Sequence, residues 1–178
     1  MTQRVVAFTG ISGVGKTTFL KELERQVSFQ HLTGGSLIAA ARQIEHGQRD
    51  KLRHANLDEN QQLLINGFLV TRDPQAALIV MDGHVVIDDG NSLTKLPSEV
   101  FHALGTSLMV HLEADPARIA ANRSRDTSRS RPNLPPENLR QQQSTSNAHA
   151  RSISHDLGIE FQSVTHDDVS RLAALLMQ

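Results

Sequence analysis

The sequence predicts an α/β fold of three layers, a five-stranded parallel sheet flanked by helices on both faces. Short apolar runs alternate with longer helical patterns along the whole chain. The runs are continuously apolar rather than alternating, as strands buried on both faces must be. The first of them ends in a glycine-rich turn that leads straight into a helix, and strand–helix alternation of this kind implies right-handed crossovers.

The elements follow in order. Val5–Phe8 is the first strand and Lys16–Arg25 the first helix. Phe29–Leu32 is a weaker strand, followed by helices over Ser36–His46 and Asp58–Thr71; in the latter, Leu64, Ile65, Phe68 and Leu69 give an i, i+1, i+4, i+5 stripe. Ala77–Met81 (ALIVM), Ser107–Leu112 (SLMVHL) and Ile159–Val164 complete the five strands. The last helix, Asp168–Met177, aligns Val169, Leu172, Ala173 and Leu176, and Thr165 with Asp168 has capping-box spacing. There is no internal repeat. From Asn122 to Ser146 the rhythm breaks into a polar, arginine- and serine-rich stretch interrupted by Pro132, Pro135 and Pro136. Its composition is that of a solvated loop or linker. Its place after the fourth strand sets it apart from an ordinary linker.

Composition limits what such a chain does. With 178 residues it forms one domain, 1–178, large enough to withdraw roughly 70% of its unfolded surface from water. Charged residues make up 21% and the formal net charge is −1, so no global field recruits nucleic acid or an anionic membrane. The absence of cysteine excludes disulfides and thiolate metal sites. No apolar run has the length to span a bilayer and the start lacks a secretory h-region, so a cytoplasmic protein is expected. The nine histidines are scattered without metal-ligand spacing and read mostly as surface residues.

The glycine-rich turn carries the chemistry. Gly10-Ile-Ser-Gly-Val-Gly15-Lys16-Thr17 fits G-x-x-x-x-G-K-[ST] between a strand and a helix, a phosphate-binding P-loop. Gly10, Ser12, Gly13, Val14 and Gly15 would wrap phosphate oxygens in backbone N–H groups, joined by Lys16, Thr17 and Thr18 at the helix start. Lys16 would reach the β- and γ-phosphates of a nucleoside triphosphate, and Thr17 would offer its hydroxyl to Mg²⁺. Asp82, at the carboxyl end of ALIVMD, is the expected second metal holder. Gly83 follows it where many ATP-hydrolysing motors place a water-activating glutamate, and no N-K-x-D guanine motif is present. Transfer to an acceptor is therefore favoured over hydrolysis. Arg123, Arg129 and Arg131 beyond the fourth strand supply guanidinium groups suited to a transferring phosphoryl group. His84, two residues past Asp82, lies on the same side of an extended strand end.

In this order and spacing the motifs resemble the archaeal-type adenylate kinases and their nucleoside-monophosphate-kinase relatives. The likeness runs through VVAFTGISGVGKTT, RDKLR (Arg49–Arg53) before a glutamine-containing helix, IVMDGH (Ile79–His84) and LPSEVF (Leu96–Phe101). It continues through VHLEADPARI (Val110–Ile119), DTSRSRP (Asp126–Pro132) and a helix carrying Gln143. The resemblance implies a three-layer P-loop NTPase fold with a small arginine-rich lid over about residues 122–136, an acceptor-binding helical segment over about residues 33–72, and Mg·ATP as donor. It implies that Arg123 stacks on the donor adenine or clamps its phosphates, and that Arg129 and Arg131 grip the transferred group. Ser36, Arg49, Arg53, His84 and Gln143 fall on the acceptor side, with AMP or a similar monophosphate as partner. Two departures fall there too: the alanines of GGSLIAAARQ and the extra residue in RDKLRHANLDENQ. Another small acceptor, or an ATP-dependent assembly factor of the same fold, are the alternatives.

Overall fold

The computed structural model describes residues 3–45, 59–88, 92–126 and 134–178. Five strands form one sheet in the order β2-β3-β1-β6-β7, with every pairing parallel. These are β1 (Arg4–Thr9), β2 (Gln30–Thr33), β3 (Leu78–Asp82), β6 (Thr106–Leu112) and β7 (Glu160–Val164), the five expected. A hairpin of β4 (Val86–Asp88) and β5 (Leu93–Lys95) stands apart; its strands are too short to register in the sequence pattern.

Alternation along the central strands sorts their side chains into two cores. Val6 and Phe8 of β1 with Leu108, Val110 and Leu112 of β6 meet Phe19, Leu20 and Leu23 of α1 (Lys16–Glu24) and Leu172, Ala173 and Leu176 of α7 (Val169–Leu176). Val5, Ala7, Ile79, Met81 and Met109 face the other way. They pack on α2 (Gly34–Glu45), α3 (Glu59–Thr71), α4 (Ser98–Ala103) and α6 (Pro136–Leu157) through Leu37, Phe68, Val100, Phe101, Ala150 and Ile153. Three layers follow from this division.

Two expectations are corrected. The stripe on α3 is rotated: Gln61, Leu63, Gly67 and Phe68 are buried, whereas Leu69 is 51% exposed. The cause is Gly67, whose missing side chain lets α2 approach; a Cβ there would lie 2.0 Å from the Leu37 carbonyl oxygen. Within the polar stretch 122–146 the described residues 122–125 and 136–146 are helical, the latter around Gln143 as the resemblance implies, and the middle of the expected lid, residues 127–133, lies outside the described residues. Asp115 caps α5 (Pro116–Arg125) by accepting from the Ala117 N–H at 2.7 Å, and α5 carries Arg123. Pro136 opens the 22-residue α6 at its first turn, which a proline tolerates there, with Glu137 beside it. Composition alone does not announce this helix, because only Leu139, Ser146, Ala150, Ile153 and Ser154 of it are buried. Among the described residues the histidines are not mostly plain surface groups: His111 is wholly buried, and His31, His84, His149 and His166 make specific contacts. The Thr165–Asp168 capping box forms, although it opens a short 3₁₀ turn ahead of α7. Among the described residues no helix is long and apolar enough to cross a membrane.

Candidate active site

Between β1 and α1 the chain turns through residues 10–15 at the carboxyl edge of the sheet, where open α/β folds place their ligands. Gly13 (φ 87°) and Gly15 (φ 98°) adopt backbone angles that side-chain-bearing residues rarely reach. Neither has room for a Cβ: at Gly13 it would meet Arg123 Cγ at 2.7 Å, and at Gly15 the His166 ring at 2.8 Å.

The loop's carbonyls are tied down from outside. Gly10 O accepts from His84 Nδ1–H at 2.8 Å and from Lys16 Nζ at 3.1 Å. Ser12 O accepts from Arg123 Nε at 2.7 Å, Gly13 O from Asn122 Nδ2 at 2.9 Å, and Val14 O from His166 Nε2–H at 2.9 Å. Because these four carbonyls are engaged by surrounding side chains, the alternating amides are set to converge on an anion, with the start of α1 behind them.

Lys16 and Asp82 meet across the β1–β3 pair, Nζ to Oδ1 at 3.8 Å, and both side chains are nearly buried. The other Asp82 oxygen lies 3.7 Å from His31 Nε2, whose Nδ1 is 3.5 Å from Glu24. Asp82 foremost, with Glu24, holds the His31 imidazole above its ordinary value of 6.5, against the opposing effect of burial. His111 has the reverse setting. The Thr9 hydroxyl donates to Val110 O at 2.9 Å and so accepts from His111 Nδ1–H at 2.9 Å, which leaves Nε2 buried and without a partner. Burial, then the charges of Lys16 and Arg151, lower its pKa to about 4.

One cavity of about 780 Å³ joins these groups to the second half of the site. Its phosphate end includes Ser12, Gly13, Gly15, Lys16, Thr17, Thr18, Asp82 and His84. Its far end is walled by Ile38, Leu64, Ile87, Leu96, Phe101 and Leu104, with Thr33, Asn60 and Gln61 as polar groups.

Of the expected residues, the structure thus brings together the loop, Lys16, Thr17, Thr18, Asp82 and His84, with Arg123 behind the loop. Ser36 does not join them. It sits in the start of α2, where its N–H donates to Thr33 Oγ1 at 3.2 Å and its hydroxyl to Thr33 O at 2.8 Å. Gln143 is likewise committed elsewhere, both ends of its amide being on the Ala114 backbone at 3.0 Å. Arg49, Arg53, Arg129 and Arg131 lie outside the described residues. Gln61, Phe101, His31 and His166 are the additions. The sequence carried a signal for His111, since a histidine inside a central strand buried on both faces needs a partner, whereas His31 sits half-buried on the edge strand β2.

A P-loop backed by a lysine–aspartate pair, on a sheet of this order, defines the class: a P-loop phosphotransferase. A family model described as AAA domain matches residues 9–140. The adenylate kinase of Thermoplasma acidophilum is 27% identical over 164 residues, 90% of this chain and 88% of that protein. Those of Sulfurisphaera tokodaii and Pyrococcus horikoshii are 29% and 32% identical over 74% and 71% of this chain and 74% and 68% of theirs. The chain belongs to the AAA-domain family of P-loop kinases and, within it, to the archaeal-type adenylate kinase family. Among solved structures, shikimate kinase from Acinetobacter baumannii in complex with shikimate superposes with a TM-score of 0.58 at 18% identity, over 99% of this chain and 92% of that one. Shikimate kinase from Bacteroides thetaiotaomicron gives 0.56 at 16% over 99% and 100%. These two likenesses concern the fold.

Proposed function

We propose that the chain is a Mg²⁺-dependent nucleoside monophosphate kinase that moves the γ-phosphate of ATP to AMP or a similar monophosphate. The observation that carries this reading is the two-ended cavity, polar and cationic at the P-loop and largely apolar beyond it. A flat base suits the wall of Ile38, Leu64 and Phe101, and the amides of Asn60 and Gln61 suit its polar edge. An acceptor phosphate oxygen forms the new bond to the γ-phosphorus as the bond to the bridging oxygen breaks, and ADP departs with that oxygen. The work of the protein is to align the two and balance charge. Lys16 supplies a cation at the phosphate end, and the pinned amides of the loop hold the donor. Arg129 and Arg131 are proposed to grip the group in transit.

Thr17 and Asp82 offer a hydroxyl and a carboxylate in the same cavity, hard oxygen donors that fit Mg²⁺ completed by phosphate oxygens and water. When bound, the ion would offset phosphate charge. Gly83, rather than a carboxylate, follows Asp82, and its N–H is spent on Phe8 O at 3.1 Å; this favours transfer over hydrolysis.

The test is ³¹P NMR of the protein with Mg·ATP and each nucleoside monophosphate in turn. The expected result is ADP and one nucleoside diphosphate in equal amounts, with Lys16→Ala slower by a factor on the order of 100 or more. ATP converted only to ADP and free phosphate, at one rate whatever the acceptor, would overturn the reading.

A further inference from the structure

Arg123 is held from two sides. Its Nε donates to Ser12 O of the phosphate loop at 2.7 Å, and its terminal Nη2 donates to Gln142 Oε1, on α6, at 3.3 Å. The same Gln142 amide donates through Nε2 to Asp88 Oδ2 at 2.6 Å. Asp88 ends β4, next to Ile87, which walls the far end of the cavity. The hairpin is tied to α6 a second time at its base, where His149 Nε2–H donates to Leu96 O at 2.7 Å. A chain of hydrogen bonds therefore runs from the far wall to the phosphate loop: Asp88, Gln142, Arg123, Ser12.

The polarity of this chain has only one self-consistent direction. A carboxylate can only accept, so Asp88 forces the NH₂ end of Gln142 toward itself and the carbonyl end toward the guanidinium, which can only donate. Without Asp88 the amide would be free to turn and present N–H groups to Arg123.

We infer that Gln142 and Asp88 are positioning residues that orient Arg123 against the phosphate loop and join the hairpin to it. The inference rests on the reading of the loop as the ATP site, and it holds whichever acceptor is used. Arg123 is the group that touches the loop; Gln142 and Asp88 act through it.

The experiment is calorimetric titration of ATP into the full chain and four variants, with each melting temperature recorded. Gln142→Leu removes the relay and is expected to weaken ATP binding about three- to tenfold, as loss of a charge-assisted bond does. Gln142→Glu keeps an acceptor for Arg123 but sets it against the Asp88 carboxylate, and is expected to lose a similar factor. Asp88→Asn alone is expected to bind within about twofold of wild type, because its amide oxygen still accepts from Gln142. The double variant Gln142→Glu/Asp88→Asn restores a donor for the new carboxylate and is expected to recover wild-type affinity to within about twofold. A general packing role would not produce this reciprocal rescue. The inference fails if Gln142→Leu binds as wild type, or if the double variant binds no better than Gln142→Glu at equal melting temperature. Since ATP binding is read directly, a wild type that binds ATP but transfers to no monophosphate would sink the kinase reading and leave this one standing.

Discussion

At the residue scale, the site is shaped less by what points into it than by what holds it from behind. Four carbonyls of the phosphate loop are engaged by His84, Arg123, Asn122 and His166. His111 stands one step further back, bonded to Thr9 just before the loop. Its pKa is lowered from 6.5 to about 4 by burial, with Lys16 and Arg151 adding repulsion. The folded state therefore favours the neutral ring, and the unfolded chain binds the proton first. Stability owed to this group is complete above pH 6.5 and is lost as the pH falls toward 4, to a total of roughly 3 kcal/mol. Urea unfolding at pH 7, 5.5 and 4.5 checks this. The wild type is expected to lose stability across that window more steeply than His111→Asn, which keeps a donor near Thr9 but cannot titrate, and parallel profiles would refute it.

At the element scale, the most demanding contact is the crossing of α2 and α3. A Cβ on Gly67 would lie 2.0 Å from the Leu37 carbonyl oxygen, and that neighbour is backbone, which cannot step aside. Gly67→Ala is expected to destabilise the protein by about 1–3 kcal/mol by overpacking, despite the higher helix propensity of alanine. Equilibrium denaturation measures it, and a stabilised variant would show that the helices part freely. The three central strands were legible because burial on both faces leaves an apolar run, while the half-buried edge strands β2 and β7 carry a weaker one. The phosphate loop was legible because its torsions and charge admit few residue types. The rest was hidden for physical reasons. The α3 stripe is set by a glycine that carries no hydropathy, so Leu69 reads as core while standing exposed. The helix α6 buries few side chains, and its arginines, serines and glutamines make bonds that periodicity cannot reveal. Gln143 and Ser36 were chosen by family likeness, yet their polar groups are engaged by Ala114 and Thr33.

At the scale of the whole molecule, binding at the loop should tighten the entire fold, because its anchors come from both sides of the sheet. Mass action alone predicts roughly 2.7 kcal/mol of added stability with ATP at a hundred times its Kd. For a chain of this size that is a rise in Tm on the order of 5–10 °C. Thermal scans with and without Mg·ATP are expected to show the rise in the wild type and little of it in Lys16→Ala; equal shifts in both would place the ligand elsewhere. The same anchors also set an order of events during folding. The bond from His166 to Val14 spans 152 positions, and those from Asn122 and Arg123 span 109 and 111. The loop and its anchors lie far apart along the chain, so the loop gains its shape only once α5 and the turn before α7 have docked beside β1. Nucleotide capture becomes a readout of completed long-range packing, and a chain in which α5 and the His166 turn have not docked is expected to leave ATP untouched.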